Sequence, residues 1–186
     1  PAVEPGDVAA EEPRAQLVGR REAAVGVEGG DVHAPGLAED DRRQEGDEGF
    51  VEVEEVEALV EKGYKEVVLT GVLIGAYGKE TGSGGPDFEG LIERLHDVRG
   101  LARIRISSIE MRQVSEMLIS IMARRETKVV PHLHIPLQSG STRVLRDMNR
   151  PYTQSEYLDL CARLQDSIPD LALTTDIMVG FPTEDD

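Results

Sequence analysis

Apolar side chains recur at helical spacing at Val53, Val56, Leu59 and Val60, and Gly63 follows as a stop. KEVVLTG (65–71) then reads as a short buried strand that ends in glycine. IGAYGKETGSGGPD (74–87) is a loop, with Asp87 placed to cap the next helix, whose inner face is Phe88, Leu91, Ile92, Leu95 and Val98. In ARIRISS (102–108), Ile104 and Ile106 alternate with Arg103 and Arg105, which is the two-residue period of a strand. Met117, Leu118, Ile121 and Met122 mark another helix, and HLHIPLQSG (132–140) is the next strand with its exit loop. Ser141 caps a short helix through Val144, Leu145 and Met148. Thr153 and Glu156 have the spacing of a capping box, opening a helix with Tyr157, Leu160, Cys161 and Leu164 inward. LALTTDIMVGFP (171–182) is the last strand and its loop.

The order is therefore helix–strand repeated four times. Alternation at this spacing gives right-handed βαβ units around a parallel sheet. The fold class expected is α/β: an arc of a partial (βα) barrel, with about four parallel strands and intervening helices. Polar residues gather where the strands end, at Thr70–Gly71, Ser107–Ser108–Glu110, Gln138–Ser139 and Asp176–Gly180. In parallel α/β folds this carboxyl edge is where ligands sit.

Residues 1–50 follow no such pattern. Seven residue types (Ala, Gly, Val, Glu, Asp, Arg, Pro) supply 44 of the 50, and the stretch has no Ile, Met, Tyr or Lys. Such a chain buries too little apolar surface to offset the entropy of ordering. The expected organisation is a disordered acidic low-complexity segment at 1–50, with at best a transient helix, followed by one domain at 51–186. All seven dominant types have codons beginning with G or C. Two origins stay open, a wrong-frame reading of a GC-rich gene and a genuine acidic linker. The whole chain has a formal charge of −16, half of it in these fifty residues. An acidic surface repels phosphate, so free-standing nucleic-acid binding is disfavoured. No apolar run reaches the ~18 residues of a membrane span, and one cysteine excludes an internal disulfide, which fits a cytoplasmic protein.

Several segments carry candidate chemistry. His132 and His134 lie two apart on a strand and share a face, as a zinc or iron pair would; no Asp/His cluster nearby completes a ligand set, so a structural pair is the plainer reading. GSGG (82–85) has the glycines of a phosphate cradle but not its lysine, and reads as a flexible loop. Ser139 and Ser141 lack a nucleophile elbow and a base, which leaves capping and ligand hydrogen bonding. Asp176 lies in an apolar strand and needs a partner there, structural or ligand. Gly180 lets a ligand approach the backbone closely. Cys161 falls on an apolar helix face and reads as a core residue.

GYKEVVLTGVLIGAYG, RIRISSIE, HLHIPLQSGSTRVLRDMNRPYT and TTDIMVGFPTE together resemble the radical S-adenosylmethionine core of tRNA methylthiotransferases. TGVLIGAYG with RISSIE is most similar to the branch acting on N6-threonylcarbamoyladenosine near the anticodon. The resemblance runs from about residue 53 to 186. It implies a transferase that adds a methylthio group to C2 of a tRNA adenosine, with S-adenosylmethionine and [4Fe-4S] clusters as cofactors and tRNA as partner. It places Thr70 and Gly71 near the methionine end of the cofactor, with Ser107, Ser108 and Glu110 facing the same cavity. Gln138 and Ser139 would lie near its ribose or methionine groups. Asp176 to Gly180 would back the adenine, and Arg150 would anchor a carboxylate or the loop itself.

The departures bear on activity. The family holds its radical-generating cluster through C-x-x-x-C-x-x-C after the first barrel strand; here Cys161 is the one cysteine and stands elsewhere. Met111 stands where proline is common, and GFPTED replaces the usual GFPGET. The resemblance thus implies an internal fragment of such an enzyme, inactive alone and poorly suited to hold tRNA. The competing readings are a non-catalytic remnant that binds an adenosyl ligand or a partner, and an α/β-barrel enzyme with a His-bound metal.

Overall fold

In the computed structural model the described residues are 22–26, 51–71, 73–78, 87–182 and 184; only the backbone is described for 22–26. Five strands and five α-helices follow one another as β1 (Glu22–Gly26), α1 (Val51–Glu61), β2 (Glu66–Thr70), α2 (Phe88–Asp97), β3 (Arg103–Ile106), α3 (Glu116–Ala123), β4 (His132–His134), α4 (Thr142–Asp147), α5 (Gln154–Ser167) and β5 (Ala172–Thr174). Short 3-10 turns at Ile74–Ala76 and Met111–Gln113 follow β2 and β3.

All pairings among these strands are parallel. β1, β2 and β3 form one sheet in that order, and β4 with β5 forms a second. Between the sheets run single parallel bridges, Ile104 with Val129 and Ser108 with His134. The α/β alternation expected from the pattern is present. The strand count differs: five strands stand in two sheets where about four in one arc were expected. The break has a local cause. Pro131 interrupts the run from Val129 to His134 and has no amide to give β3.

The fifth strand comes from the segment expected to be disordered. Glu22–Gly26 pairs with Glu66–Thr70 residue for residue. β2 is a buried strand and would otherwise leave its outer amides unpaired; five extended residues of the acidic stretch satisfy them. The remainder of 1–50 and the GSGG loop lie outside the described residues.

Period two sorts the strands into two faces. Val67, Leu69, Ile104, Ile106 and Leu133 are buried and join one core with Phe88, Leu91, Ile92 and Leu95 of α2, Leu118 and Ile121 of α3, and Leu160 and Leu164 of α5. The expected caps are in place. Asp87 accepts from the Gly90 amide at 2.9 Å, Ser141 from Val144 at 3.4 Å, and Thr153 with Glu156 closes the capping box. Gly63 ends α1 with φ 92°, a left-handed conformation that glycine adopts without steric cost.

Two details differ from the pattern. The helix marked by Met117, Leu118, Ile121 and Met122 is present, but Met117 is exposed on it and Ile119 is buried. Ser115 caps α3, so the helix begins at Glu116 and the buried face runs through Leu118, Ile119, Ile121 and Met122. The apolar run 171–182 is strand only over Ala172–Thr174, and Ile177, Met178 and Val179 are exposed. Its continuation pairs with the β4 exit through the Gln138–Ile177 bridge, with no neighbour on its other side among the described residues.

Candidate functional site

The face of the strands turned away from the helices is polar. Glu66 of β2 is fully buried. It accepts from the Arg103 Nε and, at 3.2 Å, from the Arg105 Nε, both on β3. Burial alone would raise the Glu66 pKa, but the two guanidiniums outweigh it and hold the carboxyl below its ordinary range. Further along the same face, His132 and His134 of β4 both reach Thr174 of β5, at 3.1 and 2.9 Å. His134 Nε2 lies 3.2 Å from the Asp176 carboxylate.

One proton assignment satisfies this row with neutral rings. His134 donates from Nε2 to Asp176, so its Nδ1 accepts from the Thr174 hydroxyl. That hydroxyl then accepts from His132 Nε2, which leaves His132 Nδ1 as an acceptor. His132 Nδ1 is buried and without a partner. Burial lowers the His132 pKa, and the charge of Arg105 adds to the shift. His132 therefore belongs on this row as a neutral acceptor. Among the described residues no three His, Cys, Asp or Glu side chains form a metal set.

The residues singled out at the strand ends fall into groups. Thr70 is exposed at the end of β2 and Gly71 is half-buried beside it; the Ser107 amide donates to the Leu69 carbonyl at 3.0 Å, which sets Ser107 next to them. Ser108 is exposed and bridges to His134. Glu110 pairs with Arg150 at 3.3 Å, so that arginine holds the loop after β3. Gln138 has φ 72° and is bonded through its backbone to Asp176 and Met178. Ser139 is buried, and its hydroxyl accepts from the Ser141 amide at 3.2 Å, which occupies it within its own loop. Asp176 is exposed and finds its partner in His134. The Gly180 amide donates to the Glu184 carboxylate at 2.6 Å.

Two polar atoms at this edge are buried without a partner: the Ser107 hydroxyl and the Gln113 Oε1. Orphaned polar atoms are rare in native interiors, and here both lie on the segment that leaves β3. An iron–sulfur cluster does not fit the donors of this chain. Such clusters are held by several thiolates; Cys161 is the one cysteine, half-buried on α5 with its thiol pushed up by burial.

The sequence pattern did not single out Glu66 or Thr174. For Glu66 the signal was available: two arginines in register on one strand face require a counter-charge nearby. For Thr174 only the β4–β5 register, His134 opposite Thr174, reveals the contact.

The fold is a parallel α/β domain with its polar loops and orphaned acceptors at the strand exits, the edge where ligands sit in that class of fold. The chain belongs to the Radical SAM superfamily, whose family model matches residues 38–186. The match begins earlier than the residue 53 from which the sequence motifs were traced. Among curated proteins the chain is similar to the tRNA-2-methylthio-N(6)-dimethylallyladenosine synthase of Acetivibrio thermocellus, 46% identical over 132 residues, covering 71% of this chain and 27% of the relative. It is similar to the protein of the same name from Caldicellulosiruptor saccharolyticus, 46% identical over 130 residues (70% and 27%), and to that of Geobacillus thermodenitrificans, 42% identical over 134 residues (72% and 25%). The chain spans about a quarter of the length of these relatives. Their names specify a dimethylallyl substituent, whereas the sequence motifs pointed to the threonylcarbamoyl branch.

Proposed function

We propose that this chain is a segment of a tRNA methylthiotransferase core that forms one wall of an S-adenosylmethionine pocket. The observation that carries this is the 46% identity over 132 residues to relatives named for methylthio transfer to a tRNA adenosine. The polar strand exits supply the chemistry: Ser107 and Gln138 would hold polar groups of the cofactor, and Thr70 and Gly71 would border it. The reaction read from the relatives is methylthio addition at C2 of an N6-substituted adenosine. Their names favour the dimethylallyl substituent over threonylcarbamoyl. S-adenosylmethionine would supply the reactive group, and the protein's part is placement and exclusion of side reactions. With one cysteine, this chain does not start the radical reaction by itself.

Two measurements on the full 186-residue chain test the reading. Calorimetry with S-adenosylmethionine should show saturable binding, and Ser107→Val should weaken it by about fivefold, the loss of one hydrogen bond. Iron and sulfide analysis after anaerobic reconstitution should show no stoichiometric cluster. Absence of any heat of binding would remove the pocket reading, and a cluster that cleaves the cofactor would overturn the predicted inactivity.

A further inference from the structure

The β4 exit, Ile135 to Gln138, carries the left-handed Gln138, yet among the described residues it has no strand on one side for most of its length. Each of its backbone groups nonetheless has a partner within reach. The Ile135 amide donates to the Thr174 carbonyl at 2.9 Å, and the Gln138 amide to the Asp176 carbonyl at 2.9 Å. The Leu137 amide donates to the Thr175 hydroxyl at 2.8 Å, and Pro136 has no amide. The Gln138 carbonyl accepts from the Met178 amide at 2.7 Å. That leaves three consecutive carbonyls facing two tyrosine hydroxyls, one of which shares its single proton between two of them. The Tyr157 hydroxyl donates to Ile135 at 2.8 Å, and the Tyr152 hydroxyl is within reach of both Pro136 (3.0 Å) and Leu137 (3.2 Å). Both rings are buried.

A buried carbonyl left unpaired is costly. A non-glycine residue at φ 72° persists only where its surroundings over-determine it. Here the constraint comes from β5 on one side and the two hydroxyls on the other. The same segment reaches the neighbouring loop: Arg150, two residues before Tyr152, pairs with Glu110 on the β3 exit. Between them Pro151 fixes its own φ and stiffens the link.

The geometry points to Tyr152 and Tyr157 as positioning residues that hold Gln138 in its left-handed conformation at the ligand-bearing edge, with Arg150 fastening that exit to the one beside it. This rests on the reading of the edge as a cofactor pocket. The hydroxyls act on the loop backbone, and Gln138 acts on the ligand.

Tyrosine-to-phenylalanine variants separate the hydroxyl from the packing. Hydrogen exchange on the full chain and on Y152F, Y157F and Y64F reads the loop directly. In Y152F and Y157F, amides 137–139 and Met178 should exchange about five- to tenfold faster, the ratio expected when one net hydrogen bond is lost. Exchange in β2 and β3 should not change. Y64F, which alters a tyrosine before β2, should leave 137–139 as in the unaltered chain. Unchanged exchange at 137–139 in both variants, or acceleration spread evenly over the whole domain, overturns the assignment. Calorimetry with S-adenosylmethionine runs in parallel: Y152F should weaken binding severalfold while the melting temperature falls by only about 2–4 °C. If the unaltered chain gives no binding heat, the cofactor reading fails, while the exchange data still decide whether the tyrosines hold the loop.

Discussion

Replacing Phe88 by alanine should destabilise the domain by about 3–5 kcal/mol, the range for buried Phe-to-Ala substitutions. Phe88 is fully buried, and so are Leu91, Ile92 and Leu95, its neighbours on the same face of α2. It opens the helix directly after the Asp87 cap, so its side chain is fixed by both the cap and the core. Its neighbours cannot collapse into the space without moving the helix off β2 and β3, and the cavity adds to the lost burial. In urea the midpoint should fall while the slope stays constant, which identifies a stability change without altered compactness. Phe88→Leu keeps most of the volume and should cost less than about half as much. A loss below about 1 kcal/mol for Phe88→Ala would show that α2 is not clamped to the sheet as described.

The effect would extend to the site, because α2 supports the segment that leaves β2. Tyr77, buried after the Ile74–Ala76 turn, has its hydroxyl bonded to Glu52 of α1 and its pKa raised, first by burial and then by that carboxylate. Gly75 approaches Gln113 so closely that a Cβ placed there would lie 2.4 Å from the Gln113 Cβ. The turns after β2 and β3 therefore interlock, and a shift of α2 would reach the Ser107–Gln113 segment through them.

How much of this was legible depended on the range of the interactions. Local signals read well. The periodicity from Phe88 to Val98, the Asp87 and Ser141 caps and the Thr153–Glu156 box all depend on residues a few positions apart, and all are present. The edge that carries Ser107 and Gln138 was legible because strand ends and polar loops coincide in parallel sheets. What the sequence hid depends on register between distant strands. The Tyr157–Ile135 bond spans 22 positions and the Glu66–Arg103 pair 37. No period relates such residues. β1 was hidden for a different reason: Val25 is the one apolar side chain of Glu22–Gly26 larger than alanine, and the strand pairs along the edge of β2. Met117 lies on its helix yet is exposed: Ser115 caps the helix, and the buried face runs through Leu118, Ile119, Ile121 and Met122.

Glu66 should be the charged residue to which the fold is most sensitive. Glu66→Ala is expected to cost about 2–3 kcal/mol, the scale of hydrogen bonds to an ionised group. The figure is kept below that of a fully buried pair because the side chains of Arg103 and Arg105 are 38% and 32% exposed and water screens them. Removing the carboxylate leaves two guanidiniums side by side on β3, and their mutual repulsion replaces attraction. Arg105→Ala should cost less, since Arg103 still pairs with Glu66. The same site makes a pH prediction. The folded-state pKa of Glu66 is depressed, the net of burial raising it and the two arginines lowering it further. Its contribution is complete above the unfolded value of about 4.3. It is lost as pH falls from there through the folded value. Urea unfolding at pH 7 and at pH 3 should therefore show a gap between the unaltered chain and Glu66→Gln that narrows in acid, because protonation makes the two chemically alike at this position. A gap as wide at pH 3 as at pH 7 would mean that shape, and not charge, is what Glu66 contributes.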